Sequence, residues 1–530
     1  MSEFICPRTR TYKGQRKDLV FLLTVVVLFS VFELCYSHAS ERIYHIPLKR
    51  SVVTTLMTGY SVESDRLAID KRSASNNLYG HAGEGYYVEM LVGSPPQKIN
   101  VLVDTGSSNL AIAASPSPDI TTYFHRDQSS TYVKDGRQVH VPYTQGEWSG
   151  ELGQDDITLT FLPNVTFRPN IVCITSSRNF FMNGSEWQGI VGLAYRVIAR
   201  PDSSLTPFFD TLIETGKLNN TFSIQLCGRP SSDISGDISS SNDDSMGGSM
   251  TIGGISSDLY KGSIFYTPIQ KEWYYEVLIT DIEVDQKSLN LDCKEYNFDK
   301  TIVDSGTTNV RFPAKVFERL VAQIKSKVVN IETDIPATFW NGEDVECWNE
   351  TDVPFNAFPT ISLSFFETKN SIFKLHLSPQ KYLRLVTDTS PFMSGISQLD
   401  NVPQKCFKFG ISSSESGTVL GAVLMEGYYV IFDRENKQIG FASTTCPAVY
   451  NTDSTDTIEG TITVTKNITE CFYVKSINDQ SALMVVAYVM AGVCALCLLP
   501  LIIMVIQWQY RRSCGKQPGT DTDSGILIDK

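Results

Sequence analysis

The sequence predicts an all-β fold of two lobes related by a pseudo-twofold axis, followed by one C-terminal membrane-spanning helix. Three observations predict it. The segment Val101–Asn109 recurs as Thr301–Asn309, with an aspartate at the same place in each copy. From Gly85 onward, runs such as GYYVEMLV, INVLV and ITLTF set β-branched and aromatic residues among polar ones, between Gly, Pro and Asn punctuation. Ala482–Ile506 then runs for 25 residues without a charge.

Composition narrows the class. The chain has 530 residues, 42% of them hydrophobic and only 19% charged, which excludes a disordered chain. Its net charge of −13 argues against a nucleic-acid partner, which normally requires a basic face.

The elements follow in chain order. Residues 1–39 read as a signal peptide: a basic stretch precedes the short apolar run Leu19–Phe32, and the small residues Ser37 and Ala39 follow. Residues 40–72 read as a propeptide ending in the dibasic pair Lys71-Arg72. An N-terminal lobe is expected over 73–260 and a C-terminal lobe over 261–450. Helical stretches are few, and the best are Pro207–Leu218 and Pro313–Val328, each opened by a proline. Ser231–Gly248 is low in complexity and reads as a surface loop. Residues 451–481 read as a stalk.

The run 482–506 is long enough to cross a bilayer with some tilt. Arg511, Arg512 and Lys516 follow it, which places the 507–530 tail in the cytosol and the lobes outside it. Five N-x-S/T sequons, at Asn164, Asn183, Asn219, Asn349 and Asn467, fall in the segment so placed. Seven cysteines share that compartment, at 173, 227, 293, 347, 406, 446 and 471, so pairing leaves one over. Spacing alone does not choose the pairs. None of the seven shows C-x-x-C zinc spacing, so no metal site is read, and no cofactor is expected.

The repeat carries the chemistry. Each copy runs apolar strand residues into D-[TS]-G-[ST]-[ST]-N, and each is followed by two apolar residues and a glycine, Ile190-Val191-Gly192 and Val419-Leu420-Gly421. One Asp-Ser/Thr-Gly is a turn signature; two copies with matched flanks indicate a lobe written twice. Gly106 and Gly306 permit close backbone approach. Thr105 and Ser305 can bond across the lobe interface, and Ser107 and Thr307 can orient the carboxylates. Asp104 and Asp304 brought together share a proton, so one serves as general base on a water while the other polarises a carbonyl.

With these motifs the chain resembles the pepsin-like aspartic proteases over about residues 80–450, and more closely the membrane-anchored β-secretases (memapsins). The resemblance rests on EGYYVEMLVGSPPQ (84–97), VPYTQGEWSGELG (141–153), FFMNGSEWQGIVGLAY (180–195), EWYYEVLI (272–279), DCKEYNFDKTIVDSGTTN (292–309) and MEGYYVIFDRENKQIGFA (425–442). It implies the bilobal pepsin-like fold with a cleft between the lobes. It implies a flap with Tyr143, Thr144, Gln145 and Gly146 over substrate, Trp148 supporting it, and Arg311 meeting polar or acidic substrate side chains. It implies disulfides Cys227–Cys446, Cys293–Cys471 and Cys347–Cys406, leaving Cys173 free. In the tail, Asp523 with Leu527 and Ile528 fits an acidic dileucine signal for sorting adaptors.

The function expected is a type I membrane aspartic endopeptidase, luminal or extracellular, of Golgi, endosomes and cell surface. It would cleave juxtamembrane segments of other membrane proteins. The alternatives are a non-catalytic peptide-binding protein on the same fold and a soluble-type lysosomal aspartic protease.

Overall fold

The computed structural model describes residues 43–51, 85–143, 146–160, 162–181, 186–228, 246–330, 335–349, 351–386, 404–446, 457–465, 467–473 and 480–514. They fall into two units, a body ending at Tyr473 and a segment from Val474 that contains one long helix. The signal-peptide segment, Lys71-Arg72, Thr144, Gln145, Asn183 and the tail residues Asp523, Leu527 and Ile528 lie outside the described residues.

The body is strand-dominated. Its N-terminal half opens with β1 (Tyr44–Ser51), β2 (Gly85–Val92), β3 (Gln97–Asp104), β4 (Leu110–Ala113), β5 (Val133–Pro142) and β6 (Glu147–Gln154). Strand β3 shows why the pattern folds this way: Ile99, Val101 and Val103 alternate into the core, each at most 1% exposed. β2 and β3 pair antiparallel through a turn at Gly93, whose φ of 80° suits glycine. Gly189–Gly192 then runs parallel to β3 and places Gly192 opposite Asp104.

The second copy repeats this device in a four-stranded sheet, where Thr301–Val303 lies parallel to Thr418–Leu420. Each aspartate therefore leaves a short strand whose parallel neighbour ends in apolar-apolar-Gly. A Cβ on Gly192 would lie 2.5 Å from Ser108 N, and one on Gly421 would lie 2.5 Å from Thr307 O. The aspartate loop crosses directly over both glycines, which is the physical reason for their recurrence.

The two halves are not separate at residue 260. Tyr260–Pro268, Gln438–Thr444 and Tyr428–Asp433 continue, through Thr221–Leu226, into the same sheet as β1, β2 and β3. One core cluster draws on both halves, including Val103, Phe222, Tyr275, Val303 and Phe432.

Three further segments carry strands that the sequence reading does not assign. β1 lies inside the segment read as propeptide, yet it is an interior strand between β2 and Met246–Ile252, with Ile46 and Leu48 buried. Met246–Gly248 belongs to that neighbouring strand rather than to the surface loop read over 231–248. Ile458–Thr463, expected in a stalk, adds an edge strand to Ser371–Leu377. Ile458, Gly460 and Ile462 face inward while Glu459, Thr461 and Thr463 face out, a half-buried β pattern that the polar composition of 451–460 obscured.

The two expected helices occur as Phe208–Gly216 and Ala314–Lys327, each preceded by its proline. In the second, Val316, Leu320, Val321 and Ile324 form the buried stripe. The last helix, Gln480–Cys514, is longer than the run read from sequence because Gln, Ser and the terminal arginines continue it. Its stretch long and apolar enough to cross a membrane is Ala487–Arg512.

Candidate active site

The two D-[TS]-G loops meet at the centre of the body. Asp104 and Asp304 are both buried, at 4% and 8% exposure. In each loop the same two donors hold the carboxylate. Gly106 N donates to Asp104 Oδ1 at 2.7 Å, and the Ser107 hydroxyl donates to Oδ2. Gly306 N donates to Asp304 Oδ1 at 2.9 Å, and Thr307 Oγ1 donates to Oδ2 at 2.7 Å. The loops also face each other: a Cβ on Gly106 would lie 2.5 Å from Asp304 Oδ1, and one on Gly306 would run into Asp104. Only glycine allows each carboxyl to sit over the opposite loop.

A second reciprocal set fixes the loops. Thr105 Oγ1 donates to Val303 O at 2.9 Å and accepts from Ser305 N at 2.9 Å. Ser305 Oγ donates to Val103 O at 2.8 Å and accepts from Thr105 N at 3.1 Å. All four bonds are buried, so water does not compete for them. Burial, and after it the facing Asp304 charge, push the Asp104 carboxyl well above the usual carboxylate range. Two buried carboxyls this close disfavour ionising both at once.

Comparison with known proteins agrees with this geometry. The family description "Eukaryotic aspartyl protease" matches residues 85–444. The chain is 43% identical to a protein named beta-secretase from Strongylocentrotus purpuratus, over 93% of this chain and 92% of that one. It is 29% identical to pepsin A from Sus scrofa over 67% of this chain and 80% of that one. A cathepsin D from Dictyostelium discoideum is 26% identical over 68% and 83% respectively.

The chain belongs to the eukaryotic aspartyl protease family. It is an aspartic endopeptidase of the β-secretase kind, with a C-terminal apolar helix.

Beside the dyad of this protease stands the β5–β6 hairpin, at the edge of the large sheet. Tyr143 N donates to Gly146 O at 3.0 Å and closes the turn. Gly146 has a φ of 75° and leaves no room for a side chain against the Asn179 carbonyl. Tyr143 accepts from Trp148 Nε1 at 3.3 Å, and its ring stacks on Phe180 with centroids 5.6 Å apart. Burial and the Asp104 charge push its phenol up, so it stays a neutral donor. Trp148, on β6 of the hairpin itself, is fully buried.

Arg311 lies in the strand Val310–Pro313, 8% exposed, and donates to Ser413 O at 3.5 Å. Burial sets it apart from an ordinary solvated surface arginine. The disulfides are Cys227–Cys446, Cys293–Cys471 and Cys347–Cys406. Cys173 is free and buried, with Tyr132 OH 3.6 Å from its sulfur. Of the sequons, Asn164, Asn219, Asn349 and Asn467 are exposed.

Sequence reasoning missed several residues of the site's frame. Asn109, last in the first motif, clamps the 200 loop: its amide donates to Arg200 O at 2.8 Å and accepts from Arg200 N at 2.9 Å. Tyr275 carries a bond between the halves, donating to Leu193 O at 2.5 Å just beyond Gly192. Tyr274 lies close enough to feel the charges of Asp304 and Asp104. All three stand in segments singled out by their motifs, but only side-chain placement separates them from strand residues.

Proposed function

We propose that this protease is a type I membrane endopeptidase that cleaves luminal juxtamembrane segments of other membrane proteins, using water activated by Asp104 and Asp304. The observation that carries the reading is the facing pair of carboxyls, each held by a glycine N–H and a hydroxyl of its own loop. With one proton on the pair, the ionised carboxyl takes a proton from water as the oxygen attacks the scissile carbonyl. The protonated carboxyl donates to the carbonyl oxygen. The tetrahedral diol then collapses, its proton passing through the pair to the departing amine. No covalent enzyme intermediate is required.

Thr105, Ser305, Gly106, Gly306, Ser107 and Thr307 hold the dyad in register. Tyr143, Thr144, Gln145 and Gly146 cover substrate, Trp148 braces Tyr143, and Arg311 offers a cation to polar or acidic side chains. Anchoring by the apolar helix holds enzyme and substrate at one surface and raises their effective concentration. The basic pair Arg511 and Arg512 supports a cytosolic tail. On this reading residues 1–39 are removed, residues 40–72 are a prosegment, and all five sequons carry glycans. The tail motif at Asp523, Leu527 and Ile528 recruits sorting adaptors that cycle the protein among Golgi, endosomes and cell surface.

The test is cleavage of a fluorogenic peptide library from about pH 3.5 to about pH 7.5, alongside Asp304→Asn. Acid-peaked cleavage abolished in the variant is expected. Folded, prosegment-free protein that binds peptides without cutting them at any pH would overturn the mechanism and leave a peptide-binding protein.

A further inference from the structure

We propose that Phe298, Phe472 and Tyr473 form a membrane-docking patch that seats the body on the headgroup region of the bilayer. The proposal rests on the single-pass anchoring proposed above. Among the described residues of the body, the large apolar side chains left exposed are Val133, Val197, Phe298, Val329 and Phe472. The two phenylalanines of that set, 41% and 40% exposed, stand on the two segments joined by the Cys293–Cys471 disulfide. The Phe298 ring lies 4.8 Å from that of Tyr473, the residue after Phe472. Single exposed apolar residues need no explanation, but two exposed phenylalanines flanking one disulfide, one of them against a tyrosine ring, do.

The patch is rigidly held. Cys471 is disulfide-bonded to Cys293, and Asn297 Nδ2, next to Phe298, donates to Cys471 O at 3.2 Å. Several charged residues near it have partners. Lys315 pairs with Glu295 at 2.5 Å, Lys300 with Asp299 at 3.0 Å, and Glu470 accepts from Asn467 at 3.1 Å. What the patch still offers is aromatic surface with one phenol, the chemistry enriched where proteins meet lipid headgroups.

Chain length selects the bilayer as occupant. Six residues, 474–479, join Tyr473 to the helix that starts at Gln480. Fully extended, that connection spans about 25 Å at most. The aromatic group is thus the part of the body most tightly leashed to the anchor. It also continues toward the dyad: Lys300, two residues from Phe298, lies over the Tyr274 ring at 5.6 Å. Seating this patch on lipid fixes one end of the cleft at a set height above the membrane, which selects the bond presented to Asp104 and Asp304.

The test uses the full chain in phosphatidylcholine nanodiscs, plain or acyl-brominated. Phe472→Trp adds an indole at the patch, and its emission is read as the difference from the unsubstituted protein. The expected result is blue-shifted emission quenched in brominated discs, and loss of that quenching when Phe298→Asp is added. Phe298→Asp with Phe472→Asp is expected to lower cleavage of a disc-anchored peptide about tenfold or more, the order for two phenylalanines each returning two-fifths of its surface to water, with soluble-peptide cleavage unchanged. Chain that fails to enter discs overturns the anchoring itself. Chain that inserts but keeps water-exposed, unquenched emission, with and without enzymatic removal of N-glycans, overturns docking alone. Quenching seen only with a brominated substrate peptide in detergent assigns the patch to substrate and likewise overturns the lipid reading.

Discussion

Replacing Thr105 by valine keeps the side-chain shape and removes one hydroxyl. That hydroxyl satisfies two buried backbone groups, Val303 O and Ser305 N, each at 2.9 Å. Leaving a buried donor or acceptor unpaired costs about 1–3 kcal/mol, so two such groups set the cost at about 2–6 kcal/mol. Ser305→Ala strips the mirror-image partners, Val103 O and Thr105 N, and the near-symmetry of the four bonds predicts a similar loss. Thr158→Val, whose hydroxyl bonds Thr166 in an exposed pair, is the control and is expected to fall within about 0.5 kcal/mol of the parent. The assay is equilibrium urea unfolding of the purified protein together with steady-state cleavage of one peptide. Because the lost bonds set the spacing of the two aspartate loops and touch no substrate, kcat is expected to fall while KM holds. Stability losses under about 1 kcal/mol in both variants, with kcat unchanged, would refute the view that these bonds register the dyad.

Three other outcomes are expected. Asp104 is pushed up by burial and by Asp304, so the folded protein holds a proton that the unfolded chain releases. Stability then falls as pH rises from about 3.9 through the folded value, and Asp104→Asn should flatten that slope in denaturant titrations across pH; parallel curves would sink the assignment. Leu48→Asp places a carboxylate in the fully buried middle of β1 and should abolish secretion of folded protein, read as yield and protease resistance. Trp148→Phe removes the 3.3 Å bond to Tyr143 while keeping most of the buried ring, and should reduce kcat/KM about fivefold with little loss of stability; an unchanged value would show that Tyr143 is placed by Phe180 stacking alone.

Much of the centre of this protein was legible because duplication writes a message twice. Asp104 and Asp304 could be paired on paper since their flanks matched, and Gly192 and Gly421 could be noticed since they recurred. Why those glycines recur was not legible: it depends on a loop backbone crossing within 2.5 Å of an absent Cβ. The long helix was legible because lipid imposes a length that no soluble element needs. Elements without a repeat or an external yardstick fared worse. The reading of residues 40–72 as a propeptide assigns no strand to β1, whose sequence, YHIPLKRS, carries a proline and three basic residues. Its place in the sheet is decided by the strands beside it, which contribute the rest of the buried layer around Ile46 and Leu48.

β1 also constrains maturation. If processing severs the chain after Arg72, as the dibasic pair suggests, the cut leaves an interior strand attached only by its hydrogen bonds and by buried Ile46 and Leu48. Losing it exposes two strand edges, β2 and Met246–Ile252, in the sheet that joins the halves. Unpaired edges in a sheet interior are costly and prone to pairing with other chains. Cleavage and departure of the segment are therefore separate events, and departure requires another stretch of extended chain to take the vacated register. Of the two strands that run into the dyad, only Gln97–Asp104 lies in that sheet, beside β2, whereas Thr301–Val303 belongs to a separate four-stranded sheet. Loss of β1 therefore reaches Asp104 through β2 and β3 of its own sheet, and reaches Asp304 only through the core that the two halves share.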